Sequence, residues 1–249
     1  MWSKRVDKSK IHPGLVEVVR RTLETLRKEV QPFMVYSGLR TFEEQNRLYA
    51  IGRTKPGKGI VTKARGGQSM HNYGLAADLA PFNLLTKDPD DIWWPDPEER
   101  AGSVWQPLGE ILEMTARQEE EELPDDIDIE YEWGGRWRFR DVPHCQVRTT
   151  VKELNAGHYP WCDDVEWLVN AHTTFLFGTD WMIRRVQRLL TDQGYNLGPV
   201  DGVSGARTVS AIMQFRINNK IGREYSPLSK LFIEALVRKD HEDRSRKRT

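Results

Sequence analysis

Cysteine is scarce, with two residues, Cys145 and Cys162, in 249. Two thiols cannot build a disulfide framework, so a packed core must hold the fold. Cys145 is expected to be a small buried residue, not a nucleophile. Long hydrophobic runs are also missing. No segment approaches the roughly 18 consecutive apolar residues of a membrane helix, so no stable membrane insertion is expected. Met1 to Lys8 carries no apolar signal-peptide core, which implies synthesis as a soluble cytoplasmic protein. Net charge is absent overall, at 37 Lys+Arg against 37 Asp+Glu.

That neutrality hides an asymmetry. From Thr179 onward there are 14 basic and 8 acidic residues, leaving 23 and 29 before it. A basic C-terminal part favours an anionic polymer. Aromatic platforms interleaved with the charge are lacking there, so nucleic acid is not the expected partner. Nine tryptophans are many for this length. Core and loop packing is the favoured reading, with Trp93 and Trp94 in a Pro- and Asp-rich loop; a sugar- or peptide-lined groove near Trp133 and Trp137 is the alternative.

The spacing of apolar residues predicts an amphipathic helix from Gly14 to Lys28, stopped by Pro32, then a buried strand over Phe33–Tyr36. Thr41-Phe42-Glu43-Glu44 reads as a capping box that opens a second helix. Residues 52–68, rich in Gly and Lys, read as a mobile loop beside a cleft; no phosphate-loop spacing is present. A strand is expected over Ala76–Ala80 and a helix from Val104 to about Arg117. The acidic run Glu119–Asp128 reads as a solvated helix end and loop. Strands over Ile129–Trp133 and Pro143–Val147 flank the turn at Gly134-Gly135. His12 is left to the surface.

Ser69-Met70-His71-Asn72-Tyr73-Gly74-Leu75-Ala76-Ala77-Asp78 is the chemically richest stretch. It offers an imidazole and a carboxylate, with Gly and Ala between them allowing a tight turn. A catalytic zinc takes three protein ligands and leaves one position open. Asp141-Val142-Pro143-His144 can supply the third. His144 can ligate, while Asp141 can face the same cavity as a general base. Glu132, just before the Gly-Gly turn, is the chemical rival to Asp141.

These elements together resemble the zinc peptidases that include D-alanyl-D-alanine carboxypeptidases and phage L-alanyl-D-glutamate endopeptidases. The resemblance rests on Ser69 to Asp78, on Trp133-Gly134-Gly135, on Asp141 to His144, and on Ser37-Gly38-Leu39-Arg40 with Gln45. It covers about residues 30–150. It implies Zn2+ held by His71, Asp78 and His144, with Asp141 as base and Arg40 stabilising charge on the scissile carbonyl. Ser69, Gln45 and Trp133 are implied on the substrate side. It implies an α+β fold with a small mixed or antiparallel sheet.

A second pattern begins near Asp180. Helices are expected at Ile183–Leu190, at Ala206–Asn219 (with Val209, Ile212, Met213 and Phe215 inward) and at Leu228–Val237. This unit resembles the three-helix peptidoglycan-binding repeat through Gln187-Arg188-Leu189-Leu190, Gly194-Tyr195, Asp201-Gly202, Gly205, Thr208, Ala211 and Phe215. The expected organisation is a catalytic domain over 1–155, a linker over 156–178, a peptidoglycan-binding domain over 179–238 and a disordered charged tail over 239–249.

The expected function is zinc-dependent hydrolysis of the peptidoglycan stem peptide at L-Ala-D-Glu, as in a phage endolysin made in the host cytoplasm and released to the wall. D-Ala-D-Ala carboxypeptidase is the alternative within the family. A non-catalytic zinc-containing wall-binding protein is the alternative from another class. A monomer is the default expectation.

Overall fold

The computed structural model describes residues 1–57, 59–82, 101–123, 127, 129–175, 179–222 and 228–247. Trp93, Trp94 and Arg223 lie outside them. The chain divides into two compact units, Met1–Arg148 and Thr149–Thr249.

In the first unit, α1 (Pro13–Glu29) and α3 (Gln106–Glu121) flank, in sequence, β1 (Phe33–Ser37), α2 (Phe42–Ala50) and β2 (Ala76–Pro81); β3 (Tyr131–Trp133) and β4 (His144–Val147) follow. The sheet order is β1-β2-β4-β3. All pairs are antiparallel. Helix α1 buries Leu15, Val18, Val19, Thr22, Leu23 and Leu26, a stripe at helical spacing. It packs on α3, which buries Leu108, Ile111, Leu112, Thr115 and Ala116. The α3 helix runs further into the acidic stretch than its apolar pattern suggests. Arg21 of α1 holds Glu119 and Glu122 there in ion pairs at 3.4 and 2.8 Å. The capping box forms as read: Thr41 Oγ1 accepts from the Glu44 amide at 3.1 Å, and Glu44 accepts from the Thr41 amide at 2.7 Å.

Alternation across the sheet separates packing from chemistry. Side chains two apart share a face, and paired residues face the same way. Ala77 pairs with Cys145, which pairs with Trp133, and Val35 pairs with Leu79. These are all buried. A Cβ on Gly109 of α3 would sit 2.2 Å from the Trp133 ring, so this face packs on α3. The opposite face carries Ser37 paired with Asp78, Asp78 with His144, and Gln146 with Glu132. The register thus puts the polar residues in one row. Residue Tyr36 is the extra residue of a β-bulge between Val35 and Ser37. His12 is buried, not at the surface: its backbone amide donates to the Gly74 carbonyl at 2.8 Å and it caps α1.

The second unit contains α4 (Val151–Asn155), α5 (Val165–Asn170), α6 (Thr179–Asp192), α7 (Ala206–Asn218) and α8 (Lys230–Arg246). Two expectations need correction. Of the stretch read as a linker, residues 156–175 are described and are packed, with Tyr159, Cys162, Trp167, Leu168, Val169 and Ala171 buried. Helix α5 packs on α8. The tail is helical to Arg246, because Asp240 is buried and pairs with Arg185 at 3.7 Å and Arg244 at 3.1 Å. On α7 the buried stripe is Thr208, Ala211, Ile212, Phe215 and Arg216. Met213, expected inward, lies off that stripe and is 57% exposed.

Gln187 is the polar centre of this unit. Its Nε2 donates to Asp201 Oδ1 at 2.9 Å, to the Val203 carbonyl at 3.1 Å and to Thr208 Oγ1 at 3.1 Å. Its Oε1 accepts from the Asp201 and Gly202 amides at 3.0 and 2.9 Å. One buried amide therefore closes the Asp201-Gly202 turn onto α6 and α7.

Candidate metal centre

His71 lies in a 3-10 turn, Met70–Tyr73, that ends on Gly74 at φ 68°. A side chain at Gly74 would be strained, and its Cβ would meet the Lys10 carbonyl at 2.6 Å. The turn delivers the chain straight into β2, so His71 and Asp78 approach from two elements. His144 arrives across the sheet as the register partner of Asp78.

Asp78 Oδ1 lies 3.2 Å from His71 Nε2 and 3.0 Å from His144 Nδ1. One ligand atom from each residue falls within 4.8 Å of the others, and all three residues are buried. The far nitrogens decide the tautomers. His71 Nδ1 lies 2.7 Å from the Gly38 carbonyl, which can only accept. His144 Nε2 lies 2.9 Å from Gln146 Oε1, and Gln146 Nε2 in turn donates to Glu132 at 2.6 Å. Each far nitrogen therefore carries its proton. The near nitrogens aim lone pairs at a carboxylate, an arrangement that a cation between them satisfies. Tetrahedral zinc with bonds of 2.0–2.1 Å spaces its ligands about 3.3 Å apart, close to the two separations from Asp78 Oδ1. The residues present fit a metal ion.

The three side chains are also coupled electrostatically. Burial alone disfavours charge on Asp78, yet His71 and His144 hold its carboxyl well below the ordinary value. Burial also opposes a proton on His144, but the Asp78 contact outweighs it and raises the pKa. Desolvation, reinforced by Asp78, raises Asp141. Cys145 is buried, its thiol donates to the Ala77 carbonyl at 3.3 Å, and desolvation pushes its pKa up. It is inert packing, as read from sequence.

A cavity of about 880 Å³ opens over the centre, lined by Tyr36, Arg40, Ser69, Trp137 and Asp141 together with the three candidate ligands. Asp141 is placed by Gly134, whose carbonyl accepts the Asp141 amide at 3.0 Å. A Cβ at Gly134 would come within 2.5 Å of the Asp141 carbonyl. Arg40 donates to Gln45 Oε1 at 2.7 Å and to Ser37 Oγ at 2.9 Å, and lies 3.7 Å from Asp78 Oδ2.

Two residues expected on the substrate side are support instead. Gln45 is fully buried, and its amide spans Arg40 and the Ala64 carbonyl at 2.9 Å. Trp133 is buried, and its Nε1 donates to the Val142 carbonyl at 2.7 Å, fixing the segment that carries Asp141 and His144. Ser69 does line the cavity. Glu132 steadies Gln146, and the cavity wall is formed by Asp141, not by Glu132. The loop after α2 is pinned: Asn46 Oδ1 accepts from the Gly66 amide at 2.9 Å, and Arg53 donates to the Thr62 carbonyl at 3.0 Å. Sequence reasoning missed Gln146 and the acceptor role of the Gly38 carbonyl. The i, i+2 spacing of His144 and Gln146 on a strand was the available signal for the first.

Comparison with known proteins follows the same division. A family model described as D-alanyl-D-alanine carboxypeptidase matches residues 62–147, and a second with that description matches residues 8–92. Together the two matches run from residue 8 to residue 147. Residues 182–221 match a peptidoglycan binding domain. Peptidoglycan L-alanyl-D-glutamate endopeptidase CwlK of Bacillus subtilis (strain 168) is 41% identical over 117 residues, covering 46% of this chain. The chain spans 59% of that relative's length. The crystal structure of Serratia marcescens L-Ala D-Glu endopeptidase ChiX aligns at 22% identity with a TM-score of 0.39, over 59% of this chain and 90% of that one. Among the described residues, no helix is long and apolar enough to cross a membrane.

Proposed function

We propose that the protein is a zinc peptidase that hydrolyses the L-Ala-D-Glu bond of peptidoglycan stem peptides, with the second unit binding the wall. The convergence of His71, Asp78 and His144, with both far nitrogens engaged by carbonyl oxygens, carries this reading. Zinc, when bound, supplies Lewis acidity towards a carbonyl oxygen and lowers the pKa of a water. Asp141 takes a proton from the attacking water and returns it to the leaving amine. Burial and the neighbouring Asp78 raise its pKa, which favours its accepting that proton. Arg40, aimed by Gln45 and Ser37, faces the cavity where an oxyanion would develop. Trp137 packs against His144, with ring centroids 5.0 Å apart, and shields it.

The choice of bond follows the 41%-identical relative. The family description favours the D-Ala-D-Ala carboxypeptidase alternative, which would use the same residues. The second unit raises the local concentration of substrate without entering the chemistry. Wall lysis in the manner of an endolysin is the proposed setting.

Purified protein incubated with defined muropeptides, with and without a chelator, tests this by mass spectrometry of the products. Chelator-sensitive cleavage between L-Ala and D-Glu is the expected result. Loss of terminal D-Ala alone would replace the endopeptidase with the carboxypeptidase. No cleavage, with wall binding intact, would overturn both.

A further inference from the structure

Several cations of the first unit are neutralised. Arg20, Arg21, Arg47, Arg136 and Arg148 each face a carboxylate, with Glu17, Glu122, Glu43, Glu113 and Glu130 among the partners. Lys63 and Arg140 line the cavity over the metal centre, and among the described residues neither has a carboxylate partner. Lys63 is positioned all the same. Its Nζ stands 3.4 Å from the centroid of the Phe139 ring, and Phe139 is 68% exposed at the cavity wall. A cation–π contact of this kind orders a lysine without neutralising it. Ala64, next to Lys63, is fixed through its carbonyl to Gln45. Arg140 immediately precedes Asp141. Two cations without a carboxylate partner among the described residues therefore stand at the cavity wall, open to an anionic ligand.

We propose that Lys63 and Arg140 form a carboxylate subsite that selects peptides carrying a free carboxyl beside the scissile bond. A glutamate whose amine is released has two carboxyls. Only one continues the chain, and the other is present either as the free acid or as the amide. The free acid gives Lys63 and Arg140 charge-assisted hydrogen bonds, which the neutral amide cannot match. The inference rests on the proposed peptidase activity and deepens it.

Two synthetic muropeptides, identical except for a free carboxyl or a carboxamide on that D-Glu, provide the test. The wild type should show a KM for the acid roughly three- to tenfold below that for the amide, with similar kcat, as expected for partly exposed ion pairs. Lys63→Gln and Arg140→Gln should each raise KM for the acid, leave the amide unchanged and flatten the dependence on salt. Both positions sit on the open wall of the cavity, and circular dichroism checks that the variants fold. Equal KM values for acid and amide in the wild type would overturn the subsite while leaving the peptidase intact. Cleavage of neither peptide would instead overturn the peptidase reading on which it rests.

Discussion

Gln146 reports most sharply on how the metal centre is held. Its Oε1 accepts the His144 Nε2 proton at 2.9 Å, and its own amide is fixed by Glu132 at 2.6 Å. Gln146→Leu keeps the approximate volume and removes the acceptor. His144 is then free to change tautomer or rotate, and its buried Nε2 proton loses its partner. Loss of an outer partner of a ligating histidine costs 10- to 100-fold in metal affinity, or about 1.4–2.7 kcal/mol. The unpaired proton on His144 costs about 1–3 kcal/mol of stability besides. Zinc affinity measured by competition with a chromophoric chelator should weaken within that range, while far-ultraviolet circular dichroism stays unchanged. Glu132→Gln, which leaves an acceptor for Gln146, should lose less. A folded Gln146→Leu protein with wild-type zinc affinity would refute the orienting role and, with it, the tautomer assignment at His144.

Further outcomes follow from other residues. Gln45→Leu removes the acceptor that aims Arg40 and releases the loop at Ala64, so kcat should fall by about 100-fold with zinc affinity kept; steady-state kinetics with zinc titration separates the two. Gln187→Leu deletes the five hydrogen bonds that close the Asp201-Gly202 turn, and denaturant unfolding should show the second unit losing about 3 kcal/mol. Burial and Arg185 depress His172 to about 3. Its proton is taken up first by the unfolded chain, so stability is full above the ordinary value of about 6.5 and falls by about 1.4 kcal/mol per pH unit down to about pH 3. Unfolding of wild type and His172→Gln across that window should show a shallower slope in the variant.

Much of the site was legible because its signals are local. The turn at Gly74, the capping box at Thr41 and the His71-to-Asp78 spacing are properties of short segments, and each formed as read. What escaped was set by pairing across the sheet. Gln45 and Trp133 looked like substrate contacts because they belong to the motif, yet one is consumed by Arg40 and Ala64 and the other by Val142. No spacing along the chain reveals that a polar side chain is already satisfied. The stretch 156–175 and the tail failed for a related reason. Their mixed polar and aromatic composition hides partners that lie far off in sequence, such as Arg185 for Asp240 and the Gly157 carbonyl, at 3.7 and 2.8 Å. Met213 shows the limit of apolarity as a guide. A methionine one step from Ile212 lies about 100° round the helix and faces solvent.

The central claim is that His71, Asp78 and His144 together hold one zinc ion, and metal content tests it directly. Protein dialysed against trace zinc should retain a stoichiometric amount by elemental mass spectrometry. Folded His144→Ala should retain almost none while still binding isolated peptidoglycan. Stoichiometric zinc in that variant, or none in the wild type, would contradict the assignment.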